Sequence, residues 1–199
     1  MKHALALFVL LASALFTMLH AQDVPAAKPA SPTAAPKSAV MPSPAAATKD
    51  PVATSVRMLL PRSQKNIVGA IEAMPGDKFA FKPTAEQMSF GHLITHIIES
   101  NYFFCSKVAA VPAPKADEAK DSDTKDKLAA SLKASFDFCT DALSKMDDSK
   151  LGEMTEAMGG QQVSRARLAL GLAGSWADHY AEAAMYLRLN GITPPSAKK

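Results

Sequence analysis

The chain has 199 residues, 48% of them hydrophobic and 21% charged, with a formal net charge of +3. Its 22 Lys and Arg are scattered among 19 Asp and Glu, with no basic block interleaved with aromatics, so nothing points to a nucleic-acid partner. The length suits one ordinary domain with a real core, once the N-terminal segments are set aside.

Met1–Ala21 opens with Lys2, continues as an apolar run to Leu19 and closes on a small residue, Ala21. That order of charge, apolar core and small residue is the pattern of a secretory signal peptide, cut after Ala21. The apolar run is shorter than the roughly 20 residues of a membrane-spanning helix, so no stable span is expected after cleavage. No Cys follows it to carry a lipid anchor. An exported protein, periplasmic or extracellular, is the expectation. Residues 22–51 form a linker in which seven prolines are spaced among Ala, Ser, Thr and Lys. Such a stretch buries too little apolar surface to offset its ordering entropy.

The folded domain is expected over residues 52–195, with 196–199 as a tail. Helix 1 is predicted from Val52 to Ala73, on a stripe of Val56, Leu59, Leu60, Ile67, Val68 and Ile71. Pro61 falls inside it, where a missing N–H and a steric clash predict a kink or a fresh start. Phe79 and Phe81 precede Pro83 in an extended segment that can anchor on the bundle, and Thr84 with Gln87 forms a candidate capping box. Helix 2 is predicted from Ala85 or Ser89 to Ala109, burying Phe90, Leu93, Ile94, Ile97, Asn101, Phe104 and Val108, with His96 on the flank of that stripe. Residues 112–126 are charged, contain Pro112 and Pro114, and read as a solvated loop.

Helix 3 is predicted over 124–146, with Leu128, Leu132, Phe136, Cys139, Leu143 and Met146 inward. Residues 151–162, with Gly159 and Gly160, read as a loop holding a short extended or helical piece; no stretch alternates as a half-buried sheet does. Helix 4 lies within 164–191. Its apolar face carries Leu168, Leu172, Trp176, Ala183, Tyr186 and Leu187, and Ser175, His179 and Glu182 fall inside that face or at its edge. Asn190 and Gly191 stop it, and Pro194 and Pro195 prevent resumption. Trp176 reads as core or site wall, Tyr186 with Arg188 as a lock on the helix end, and the methionines as core filler. Four amphipathic helices make an all-α four-helix bundle.

The two cysteines, Cys105 and Cys139, sit on consecutive helices beside Phe104 and Phe138. An even count in an exported domain favours a disulfide between them; the alternative is two small buried hydrophobes.

The stretches FKPTAEQMSF, MSFGHLITHIIESNYFFC and HYAEAAMYLRLNGITPP resemble the DinB-like family of four-helix bundles, the DNA-damage-inducible, YfiT-like group. The resemblance spans residues 52–195. It implies the bundle fold and, in many members, a divalent metal held by three histidines: one from the second helix and two at i and i+4 on the fourth. Some relatives are thiol transferases or isomerases that use a low-molecular-weight thiol. His96 matches the second-helix ligand and His179 the later ligand of the fourth helix. Ser175 stands where the remaining histidine would be. A hydroxyl is a poor ligand for zinc-like metals, whereas the carboxylate of Glu182 could complete a two-His, one-carboxylate set. His92, one turn before His96, points too far from the stripe.

Two readings stay open. In one, His96, His179 and Glu182 bind Zn, Ni or Fe, which acts as a Lewis acid or activates water or a thiol, giving a metal-dependent hydrolase or thiol transferase. In the other, the polar cluster is a vestigial site in a non-catalytic binding or structural bundle, compatible with a homodimer.

Overall fold

The computed structural model describes residues 47–115 and 118–198. The expected signal peptide and nearly all of the linker lie outside the described residues, as does Lys199. Four long helices form the domain: α1 (Pro51–Ala73), α2 (Phe90–Ala109), α3 (Lys125–Ser144) and α4 (Arg165–Leu189). Every core residue expected of α3 and α4 is buried.

The side-chain pairings fix the helix directions. Asn101 meets Ser135 and Cys105 meets Cys139; the two pairs advance together, so α2 and α3 run parallel. At one end of α4, Arg165 donates to the Lys107 carbonyl; at the other, Tyr186 Oη donates to the Met88 carbonyl over 2.6 Å. α4 is therefore antiparallel to α2. Joining two parallel helices requires residues 110–124 to cross the length of the bundle, about 30 Å for a 20-residue helix.

The ends of α1 and α3 cap each other. Asp50 precedes α1 in a left-handed conformation and gives it no side-chain cap. The Asp148 carboxylate, from just beyond α3, instead accepts from the N–H groups of Val52 (3.0 Å) and Ala53 (2.8 Å). In return, Arg57 of α1 donates to the carbonyls of Leu143 and Met146 at the end of α3. Lys125, at the start of α3, donates to the Glu72 and Met74 carbonyls at the end of α1. A carboxylate on a helix N-terminus satisfies orphan donors and complements the dipole. Asp148→Ala is expected to cost about 1–2 kcal/mol, read as a lower urea midpoint at unchanged m-value; an unmoved midpoint would show that this cap contributes nothing.

Several local expectations need correction. α1 passes through Pro61 as one helix; the ring lies on the exposed face while Val56, Leu60, Ile67 and Ile71 are buried on either side of it, so packing overrides the lost bond. Leu59 lies at the flank of the stripe and is half exposed. Thr84 and Gln87 form a turn, and Ser89 caps α2 by accepting from the His92 N–H. Residues 151–162 contain half of a small antiparallel hairpin, β1 (Met154–Glu156) with β2 (Gln162–Ser164), turned through Gly159 and Gly160 at positive φ. Its three-residue strands are too short to show alternation. Of the methionines, Met74 and Met146 are core, but Met58, Met154, Met158 and Met185 are exposed.

The aromatic anchors hold as expected. Phe79 packs edge-on against Phe90, and Phe81 against Tyr186. Their carbonyls accept from the N–H groups of Gly91 and Phe90, at the start of α2.

Candidate functional site

Antiparallel packing of α2 and α4 sets His96 opposite His179. The two rings meet edge to face, with centroids 4.9 Å apart. Both residues are half-buried. One turn before His179, the Ser175 hydroxyl lies 3.1 Å from His179 Nδ1, close enough to share a hydrogen bond whose direction follows the ring tautomer. Burial, then the neighbouring His96, push the His179 imidazole below its ordinary pKa, while Asp178 acts the other way. A lowered value keeps His179 neutral at pH 7, with a lone pair available on one ring nitrogen.

Glu182 does not complete a donor set with this pair. Among the described residues, no three His, Cys, Asp or Glu side chains are grouped so that they could hold a metal ion. Glu182 is half-buried and lies one turn before Tyr186, whose phenol is pushed above its ordinary pKa by burial and then by the Glu182 charge. The helix position that would present a third imidazole to His96 and His179 carries Ser175. The donor set therefore falls one strong ligand short of the three protein ligands usual for a catalytic zinc.

Behind the pair lies a buried polar chain. Trp176 Nε1–H donates to Asn101 Oδ1 over 2.8 Å, Asn101 Nδ2 donates to Ser135 Oγ, and Ser135 donates to the Leu132 carbonyl. Trp176 is thus core, with its one polar atom satisfied, and Tyr186 locks the end of α4 through Met88. The Cys105–Cys139 disulfide is formed, with Cα atoms 5.2 Å apart, and both residues are fully buried.

The surface beside His96 is not legible from local sequence. Residues 118–122 of the crossover lie against α2. Asp121 accepts from Thr95 Oγ1 (2.8 Å) and pairs with His92 Nδ1 (2.8 Å). Burial opposes ionisation of Asp121, but the Thr95 and His92 hydrogen bonds win and hold its carboxyl below the usual range. The contact is close: a Cβ on Gly91 would sit 2.9 Å from the Asp121 carbonyl oxygen. Together α2 and the crossover bound an open cleft of about 480 Å³, lined by His92, Thr95, His96, Glu99 and residues 118–122. His92 is exposed and serves as a tether for the crossover. By its charge this segment reads as a solvated loop; Asp121 instead binds it to α2.

The fold has solved counterparts. A DinB-like protein of Bacillus subtilis, YjoA, superposes with a TM-score of 0.57 at 17% identity, over 70% of this chain and 93% of that one. A DinB-like protein of Bacillus cereus gives 0.57 at 16%, over 72% and 93%. A mycothiol-dependent maleylpyruvate isomerase gives 0.53 at 12%; the match takes in 66% of this chain and 60% of the isomerase. No curated protein matches the chain. The model of the DinB superfamily matches residues 59–183, which takes in most of the bundle, from the third turn of α1 into the site helix α4. The chain belongs to the DinB superfamily.

Proposed function

We propose that this chain is an exported, non-catalytic binding module built on the DinB bundle, in which the α2–α4 seam keeps two imidazoles of a three-histidine metal site and uses them as a structural pair. One observation carries this reading: the hydroxyl of Ser175 occupies the third donor position and bonds the ring of His179. Two imidazoles and a neutral hydroxyl form a weak set for zinc, nickel or iron. The buried disulfide supports export, since such bonds persist in oxidising compartments. In this reading the polar groups on the packed side of α4 bond one another and hold helix register.

The test is metal loading followed by dialysis and elemental analysis. Wild-type protein is expected to retain no stoichiometric metal. Ser175→His restores imidazoles at i and i+4 on one face of α4, opposite His96. It is expected to tighten zinc or nickel binding on the order of 100-fold, or about 2.7 kcal/mol. Should the wild type instead hold one equivalent, lost in both His179→Ala and Glu182→Gln, the reading is wrong. The His96, His179 and Glu182 site would then stand, with metal-dependent hydrolysis or thiol transfer as the chemistry to assay.

A further inference from the structure

The methionines of the domain divide sharply. Met74 and Met146 are buried in the core, whereas Met58, Met154, Met158 and Met185 are between 37% and 75% exposed. With three leucines, these four are the large apolar side chains left in water among the described residues; no phenylalanine, isoleucine or tryptophan is among them. Single leucines on a surface need no explanation. Methionine is ordinarily spent inside a core, as an adaptable filler. On the surface its thioether sulfur is open to attack.

The four sulfurs lie on different elements. Met58 is on α1, Met185 on α4, Met154 in β1 and Met158 in the turn of the hairpin. None belongs to the core cluster. Oxidation to the sulfoxide turns a flexible apolar side chain into a polar one, which disrupts packing where the residue is buried. At these four positions the added oxygen enters water instead.

The other readily oxidised side chains are withheld from solvent. There is no free cysteine among the described residues. Cys105 and Cys139 are joined and fully buried, and Trp176 is buried with its N–H bonded to Asn101. Met88 is half-buried. Susceptibility to oxidation follows exposure, so reagents in water meet first the sulfurs whose oxidation the fold can absorb.

We propose that Met58, Met154, Met158 and Met185 are sacrificial oxidation sites that consume two-electron oxidants of the hypohalous-acid class. In each event the thioether sulfur gives up two electrons and gains the oxygen of hypochlorous acid. Chlorine leaves as chloride and the proton of the acid passes to solvent. Methionine sulfoxide reductases return the sulfoxide to the thioether, so a spent site can be restored. The bridge, Trp176 and the core methionines are spared. An exported chain, as proposed above, works outside the reducing pools that protect cytosolic sulfur.

Titration of the full chain with hypochlorous acid, up to one equivalent per exposed methionine, tests this. Peptide mapping by mass spectrometry is expected to find sulfoxide at the four exposed positions at least about tenfold ahead of Met74 and Met146. Thermal melting followed by circular dichroism is expected to be unchanged at that dose. A variant with all four replaced by leucine keeps its fold, since exposed substitutions are each worth about 0.5 kcal/mol or less. Mixed with a reporter peptide holding one methionine and given the same oxidant, wild type is expected to leave several-fold less reporter sulfoxide than the variant does. Sulfoxide at Met74 or Met146 as early as at the four overturns the proposal. So does a melting temperature that falls as the four are oxidised, or equal sparing of the reporter by wild type and variant.

Discussion

Replacing Cys105 and Cys139 together by alanine is expected to cost about 3–4 kcal/mol, the chain-entropy value for the loop that the bridge closes. The sequence separation is 34 residues, and the loop contains the whole crossover. No short turn holds α2 beside α3, since a parallel pair cannot have one. In the unfolded chain the bridge is the constraint that keeps these two helices close. For a domain of this size the loss corresponds to about 10 °C in melting temperature. Differential scanning calorimetry with and without reductant checks it, with the double-alanine variant separating the bridge from other effects of the reductant. Equal melting temperatures would mean that packing alone defines the α2–α3 pair.

Asn101→Leu is the second large effect. Asn101 is 1% exposed and accepts from Trp176 while donating to Ser135. A leucine there strands a buried indole N–H and removes the donor that the Ser135 hydroxyl receives. Each unsatisfied buried group costs about 1–3 kcal/mol, so a total of about 2–4 kcal/mol is expected. The same physics predicts rescue. With Trp176→Phe and Ser135→Ala added, no orphaned polar atom remains in the chain of bonds, and more than half of the loss should return. Urea unfolding of the single and triple variants gives the comparison. A triple variant no more stable than the single one would place the cost in packing rather than in hydrogen bonding.

Much of this molecule can be read from periodicity alone. The buried face of α4, from Leu168 to Leu187, follows from 3.6-residue spacing, because one amphipathic helix has one way to face a core. The meeting of His96 with His179 follows from the family pattern on those two helices. What periodicity cannot supply is direction and partnership. That α2 runs parallel to α3 depends on a crossover whose path leaves no mark in a hydrophobic pattern. Asp148 lies just past the end of α3, yet its carboxylate serves the start of α1, 96 residues away in sequence. Asn101 is legible as buried, but its indole partner lies 75 residues on. Glu182 is legible as a third donor by residue type, yet no three-donor group forms among the described residues. Pro61 shows the converse, a strong local breaker overruled by apolar contacts on both sides.

The reciprocal capping of α1 and α3 has a consequence for how the bundle comes apart. Isolated helices fray independently from their termini. Here the first turn of α1 is held by a carboxylate that stays in place only while the chain leaves α3 correctly. The last carbonyls of each helix are likewise held by a basic side chain from the other. Peeling back one terminus strips the other of its partner, so the two rods are bound to melt as a single cooperative unit.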